Sequence, residues 1–446
     1  MGRSTTPTDG SPEVAAPVGS LWKRRTRGLD GRYWKLWGAV TFSNLGDGLV
    51  SLAIPWLASL LTRDAMAIAG VALATRLPWL VFSLQAGALS DRFDRRRLMV
   101  LANSLRTIVA GIAAIAVLFD VMTVPMLYVL GFALGMCEVI FDNTTQTIVP
   151  SLVARDRLER ANGNIMGAQM VIADFVSRPI AGALVGVALS LPFAIDAVTA
   201  AVSAGLIASI PGSFTTPHDA GQPRPRMRTQ ISEGLRWLWQ HRLLRLLALA
   251  LATMNGLTAA AMATYVLFVQ EILGLDGLGF GLLLATSSVG GLLGSILAPN
   301  VTKRLRPGPS LMLGVASPVV TFGVIATTSS AIVVAIAFAA FSFTAVMWNV
   351  VTVTLRQTLI PDELLGRVNS VYRFFGWGAM PIGMLLGGAL VSVVEITATR
   401  DLGLRSPFIA GAVISLALLI LVSPRLTTAR VEQAREQAPE RPDPGL

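Results

Sequence analysis

The chain has 446 residues, of which 53% are hydrophobic and 14% charged, with a formal net charge of +10 and a mean hydropathy of +0.64. Soluble domains carry about 25% charged residues, so the shortage excludes the ordinary soluble class and fits a polytopic membrane protein solvated mostly by lipid. The basic residues cluster at the ends of apolar segments, which argues for topology rather than nucleic-acid binding. The single cysteine, Cys137, sits inside an apolar segment, and the two histidines, His218 and His241, fall in a loop. That leaves no disulfide framework and no metal-ligand cluster.

Residues 1–33 are polar, rich in Ser, Thr, Pro and Gly, and end in the basic "LWKRRTRGLD". They lack the apolar stretch of a cleavable signal, which predicts a disordered cytoplasmic tail. A membrane-crossing helix needs roughly 20 apolar residues. On that rule twelve spans are expected, near 34–61, 66–90, 97–119, 122–150, 162–190 and 193–212, then 243–270, 277–300, 309–328, 331–357, 370–394 and 405–424. The first six form an N-terminal bundle over 34–212 and the second six a C-terminal bundle over 243–424. Between them, residues 213–242 form a cytoplasmic linker. Leu235, Leu238 and Trp239 recur there at helical spacing among Arg236, Arg242 and Arg245. That pattern reads either as a helix lying along the membrane surface or as an early start to span seven. Residues 425–446 read as a second solvated tail.

Lysine and arginine fix the orientation. With the N-terminus inside, the outer loops hold only Arg63, Arg400 and Arg405. The inner side holds Arg92 to Arg97, Arg155 to Arg160, Arg224 to Arg245 and "KRLR" at 303. Both termini are therefore expected in the cytoplasm.

The two halves repeat at an offset of 207. Gly87 has its counterpart in Gly294, Arg96 in Lys303 and Arg97 in Arg304, while "LVARDRLERANG" (152–163) aligns with "LIPDELLGRVNS" (359–370). Both copies place the matched loops on one side, so the halves are related by an axis along the membrane normal. That is the plan of a rocking transporter with a central site.

"GALSDRFDRRR" (87–97) resembles the signature Gly-x-x-x-Asp-Arg-x-x-Arg-Arg between spans two and three of the major facilitator superfamily. "FSNLGDGLVSLAIPW", "FAIDAVTAAVSA", "EGLRWLWQHRLLR" and "IPDELLGRVNSVYRF" resemble its drug and siderophore exporter branch, which includes enterobactin-exporter-like and macrolide-efflux-like proteins. The resemblance covers nearly all of 34–424. It implies an all-α fold of twelve helices in two pseudo-symmetric halves, a bacterial inner-membrane location and no enzymatic activity. It also implies a conformational latch at Gly87, Asp91, Arg92, Arg95 and Arg96. In that latch Asp91 would accept bonds from a helix N-terminus in the other half, whereas the second copy has Ala298 at that place. Arg95, Arg96 and Arg97 also serve as plain topology anchors. "DFVSRPIAGALVG" resembles the antiporter signature Gly-x-x-x-Gly-Pro-x-x-Gly-Gly. Pro179 and Gly182 match it, while Asp174, Arg178 and Ala183 stand where glycines are expected.

Charges inside spans cost about 2.5–3.5 kcal/mol each, so those retained are functional candidates. The N-terminal half carries Asp47, Arg76, Glu138, Asp142, Asp174, Arg178 and Asp196, whereas the C-terminal half carries chiefly Arg356 and Arg373. Glu138 and Asp142, one turn apart, are candidates to load and unload protons, with Asp174 and Asp47 beside them. Asp142 reads equally as a permanent partner for an arginine. Asp174 and Arg178 read as an intrahelical clip or as a pair that opens on protonation. Asp47, between Gly46 and Gly48, suits a substrate contact or a local helix break. Arg76 is expected to partner Asp47 or Glu138, or else to bind an anion, and Asp196 to cap the outer end of span six. Asp47, Arg76, Glu138, Trp348 and Trp377 are the candidates for a substrate cavity, with Tyr372 and Phe375 nearby.

The reading that follows is a monomeric, proton-coupled exporter of amphipathic small molecules such as antibiotics or siderophores, working by alternating access. Its partners would be substrate, protons and membrane lipid, with no nucleic acid, no metal and no cofactor beyond the proton gradient. One charge moved across 100 mV is worth about 2.3 kcal/mol, and one pH unit adds about 1.4 kcal/mol. Together they sustain a gradient of several hundredfold. The alternatives are uptake or exchange of a small anionic metabolite, with Arg76 and Arg178 as counter-charges, and a lipid-handling protein of the same fold.

Overall fold

A computed structural model describes residues 29–214 and 227–436, leaving out the side chains of a few positions, among them Gly87, Asp91 and Asp174. Most of the expected N-terminal tail, the Pro- and Gly-rich start of the linker with His218, and the last ten residues lie outside the described residues. Twelve helices are long and apolar enough to cross a membrane. In the first half they are α1 (Gly31–Leu61), α2 (Ala65–Arg92), α3 (Arg95–Leu118), α4 (Val124–Leu152), α5 (Leu158–Val187) and α6 (Leu191–Ala208). A surface helix, α7 (Met227–Gln240), precedes the second half. That half comprises α8 (Arg242–Ala263), the short α9 (Tyr265–Glu271), α10 (Gly277–Leu305), α11 (Pro307–Thr327), α12 (Ala331–Leu359), α13 (Asp362–Thr397) and α14 (Arg400–Val422). A last helix, α15 (Thr428–Glu436), follows.

Two expectations need correction. The first span starts at Gly31, inside the stretch assigned to the tail. The C-terminal segment is not a free solvated tail, because Leu426 and Val431 are fully buried against the second half. Thr428 packs over Gly308 at the start of α11. The linker helix α7 is separate from span seven. His241 breaks the two by capping α8, its Nδ1 accepting from Leu244 N at 3.3 Å. Burial works against protonation of that imidazole, which is pushed below its ordinary value and stays a neutral acceptor. Leu238 anchors α7 in the core, Trp239 stays half exposed, and Glu233 pairs with Arg367 of α13 at 2.5 Å.

The distribution of apolar cores shows how the halves meet. At the end of the bundle away from the termini a single core crosses both halves, joining Leu52, Leu57 and Phe193 to Phe268, Phe280, Phe322 and Phe408. At the terminus-bearing end the cores separate. Tyr33, Met99, Phe141 and Ile148 belong to the first half, and Leu244, Trp348, Leu355 and Tyr372 to the second. The main inter-half contacts are α2 against α13 and α5 against α10, with smaller ones of α2 against α8 and α1 against α9. Among the described residues the bundle therefore shares its core at the far end and divides at the terminus-bearing end, the splayed end.

Polar contacts reinforce the far-end closure. Arg63 donates to Gln270 Oε1 at 2.6 Å and lies 3.5 Å from Glu271. Arg400 binds Glu271 through two nitrogens at 2.9 and 3.0 Å and donates to Arg63 O at 3.0 Å.

Candidate functional site

The densest buried charge in the described chain lies within the first half. Arg106, on α3, is 3% exposed, and Asp196, on α6, is fully buried. Arg106 Nε donates to Asp196 Oδ1 at 3.0 Å and Oδ2 at 3.3 Å, and Nη2 donates to Oδ1 at 2.6 Å. The third nitrogen, Nη1, pairs with Asp47 of α1. One guanidinium thus serves two carboxylates on two other helices, in the fork geometry that suits arginine.

Local sequence makes this possible. A methyl group at Gly46 would collide with the Asp196 carboxylate, and one at Gly48 would collide with Ser177 and the backbone of Ala173. The two glycines beside Asp47 therefore admit neighbouring helices, and α1 runs unbroken through them. No local helix break is present. Asp196 is likewise not an outer-end cap, because α6 begins at Leu191 and the carboxylate lies within the bundle. Nearer the termini, Asn103 donates to Ser203 Oγ at 2.7 Å, and Ser203 donates to Ala39 O at 2.8 Å. The same three helices are tied twice.

Beside this cluster, α4 packs on α2 so closely that a side chain at Gly135 would strike Thr75 O. That approach sets Arg76 3.9 Å from Glu138, a loose pair with both groups partly exposed. Asp47, Arg76, Arg106 and Trp79 surround the Glu138 carboxyl. Asp142, half buried one turn further, has no hydrogen-bond or ion-pair partner among the described residues, so the expected arginine partner is not found. Trp79 bridges to the second half, its ring 6.3 Å from Trp377. Trp377 is half exposed there.

Trp348 lies elsewhere. It is 3% exposed, packed over Gly314 in the core of the second half, and is no part of a cavity wall. Tyr372 is also buried, under the Arg356 guanidinium at 4.1 Å, and Arg356 donates to Asn369 Oδ1 at 3.1 Å. Arg373 is exposed on α13, one turn from Trp377.

Span five contains a π-helical stretch, Met170–Val176. Such stretches are frequent at functional sites. Asp174 falls in it, and its side chain lies outside the described residues. Arg178, Pro179 and Gly182 follow where α5 meets α10: Arg178 Nη1 donates to Leu284 O at 3.5 Å, and Gly182 abuts Gly277.

In the charged loop, the side chains of Gly87 and Asp91 lie outside the described residues, although both belong to α2. Arg92 is exposed. Arg96 donates to Ile210 O at 2.8 Å and the Arg95 amide to Phe214 O at 3.4 Å, which ties both to their own half. Asp94 organises this corner. It caps α3 by accepting from Arg97 N at 3.0 Å and receives Phe214 N at 2.8 Å and Ser213 Oγ at 3.0 Å. Partial burial works against ionisation, but those donors and Arg96 hold the carboxyl below the usual carboxylate range.

Sequence reasoning passed over Arg106, Asp94, Trp79 and the Arg63–Glu271–Arg400 network. For Arg106 a signal existed: it lies nine residues beyond Arg97, about 14 Å into the span at 1.5 Å per residue.

The profile of a family described as transmembrane secretion effectors, within the major facilitator superfamily, matches residues 30–442. The multidrug efflux pump Tap of Mycolicibacterium fortuitum is 28% identical over 400 residues, 86% of this chain and 94% of that protein. The enterobactin exporter EntS of Escherichia coli is 23% identical over 393 residues, 86% of this chain and 91% of that one. Among solved structures, the nucleoside transporter NupG superposes with a TM-score of 0.68 at 13% identity, covering 88% of this chain and 98% of its own. A bacterial homologue of the iron transporter ferroportin gives 0.67 at 17% identity, covering 88% and 99%. These two likenesses concern the fold.

Proposed function

Because the chain belongs to the transmembrane secretion effector family of the major facilitator superfamily, matched over residues 30–442, we propose that it exports amphipathic small molecules in exchange for protons by alternating access. It is a multi-pass transporter of the bacterial inner membrane and not an enzyme. The efflux pump and siderophore exporter among its relatives support the export direction. The basic loops support cytoplasmic termini, which makes the splayed end the inner one.

The observation that carries coupling is the run of acids from Asp47 and Asp196 on Arg106, past the loosely held Glu138, to Asp142. Four carboxyls share two arginines, so the face holds more acid than it can neutralise internally. Such a surplus in low dielectric is resolved by taking up protons. Asp47, Glu138, Asp142 and Asp174 are the proton carriers in this reading. The same surplus speaks against an anion held by Arg76, which Glu138 already engages. Substrate enters from the splayed end and meets Trp377 and Trp79 at the seam between the halves, with Arg76, Glu138 and Asp47 behind them. Arg178, Pro179 and Gly182 shape the α5–α10 seam, and the loop from Gly87 to Arg96 latches the splayed end when it closes.

The test uses inside-out vesicles with a pH-sensitive dye and a panel of antibiotics and siderophores. Substrate-stimulated proton release is expected from the wild type and lost in Glu138→Gln. Equal substrate fluxes with and without a pH gradient would sink proton coupling.

A further inference from the structure

The two carboxylates on Arg106 are not equivalent. Asp196 is fully buried and takes Nε and Nη2 through both of its oxygens. Asp47 takes Nη1 alone, and its side chain is 21% exposed. A carboxylate held through two nitrogens in a dry site is a fixed counter-ion. One held through a single nitrogen, with a path to water, is a releasable one. By neutralising most of the guanidinium and adding its own negative charge nearby, Asp196 weakens the hold of Arg106 on Asp47.

We propose that Asp196 is a positioning residue that keeps Arg106 from locking Asp47 as a permanent carboxylate, and that Gly46 exists to admit it. This deepens the coupling reading above. When a proton binds Asp47, the Nη1 contact is released and the guanidinium stays on Asp196, so no uncompensated charge is left in the bilayer. When the proton leaves, Nη1 closes again.

The charged and titratable groups around Asp47 are few, and include the buried Cys137 thiol of α4. Arg106 comes from α3, Asp196 from α6, and Glu138 and Asp142 from α4, with Arg76 of α2 engaged by Glu138. From α5, Arg178 is directed to Leu284 O of α10, and the Asp174 side chain lies outside the described residues.

Gly46 allows the proposal to be tested without altering any charge. A methyl group there meets Asp196 Oδ1 and lies 2.7 Å from Thr199 Oγ1, so the carboxylate is pushed off its two-nitrogen seat. Gly38, on the same helix, is a control, because a methyl there meets only Leu206 Cδ1 at 3.6 Å.

The experiment is infrared difference spectroscopy of the full chain in liposomes, titrated from about pH 4 to pH 9 across the carboxyl values that proteins display. The protonated carboxyl band is assigned to Asp47 by its loss in Asp47→Asn. The Asp47 midpoint is expected to move to lower pH by about one unit or more in Asp196→Asn, as removal of a neighbouring like charge requires. Gly46→Ala should move it the same way by less, and Gly38→Ala should leave it in place. Unmoved midpoints in both Asp196→Asn and Gly46→Ala, movement to higher pH, or a wild-type Asp47 that never titrates would each overturn the proposal. The readout does not depend on transport, so a chain in which Asp47 behaves as expected but export carries no protons would defeat the coupling reading alone.

Discussion

The two halves share a fold plan but not an interior. In the first, three helices are joined through a buried arginine and two acids, with a further acid pair on α4. In the second, α11 has no charged residue between Pro307 and Thr327, and α8 carries its arginines only in its first turn. At the offset of 207, Glu138 and Asp142 of α4 become Ala345 and Asn349 of α12. Among the described residues of that half the buried cation, Arg356, rests on an aromatic face and an amide instead of a carboxylate. Duplication supplied the scaffold twice, and paired buried acids were retained or elaborated in one copy only.

The largest effect that tests this difference is removal of the shared cation. Arg106→Met leaves two carboxylates without a partner and is expected to cost about 3–5 kcal/mol, seen as loss of monodisperse protein or a steep fall in melting temperature. Arg356→Met removes a cation–π contact and should cost about 2 kcal/mol or less. Equal losses would erase the contrast.

Next comes the cavity. Trp377→Ala should raise the half-saturating concentration of an exported dye about tenfold, the loss of one stacking anchor. Trp348→Phe should leave transport unchanged and shift stability by less than about 1.5 kcal/mol, because it only trims a core side chain. A transport phenotype for Trp348→Phe would return that residue to the cavity.

Much of this was readable in advance. The twelve spans, the paired halves and the concentration of ionisable residues in the first half all follow from hydropathy, loop charge and the 207-residue repeat. The site was less legible, for a physical reason. Linear sequence shows which helices carry charge but not which faces converge. Asp196 looked like a helix-end residue because "LPFAID" stands close to a loop, and only packing against Gly46 shows it to be interior. Trp348 and Trp377 are one residue type on neighbouring spans, yet one faces a glycine within its own half and the other faces the seam. The buried Leu426 and Val431 lie in a segment whose polar composition masks two core contacts.

A smaller effect is expected at Asp94. Its carboxyl is held below the usual carboxylate range, so its stabilising contribution is complete above the unfolded value of about 3.9. It is lost as pH falls through the lower folded value. Asp94→Asn should therefore melt earlier at neutral pH, losing up to about 1 kcal/mol for the negative charge at the start of α3, and the gap should close in strong acid. A gap that persists there would show that the cap acts through shape instead of charge.

The smallest effect concerns the far-end network. Glu271→Gln weakens an exposed ion pair between the halves worth up to about 1 kcal/mol, a severalfold change in population at most. Distances between spin labels at Thr62 and Ser329 would lengthen in a larger fraction of molecules, and the buried Cys137 should not react with the label.

The single core at one end and the divided cores at the other have a consequence in membrane mechanics. In this state the protein is a wedge, wider in the leaflet that faces the termini. In the proposed alternating-access cycle, rocking to the opposite state inverts the wedge, so each cycle transfers area from one leaflet to the other. Work done against lateral pressure then enters the balance between states, as any difference in free energy between them must. In that cycle, lipids of different spontaneous curvature would control turnover without any binding site.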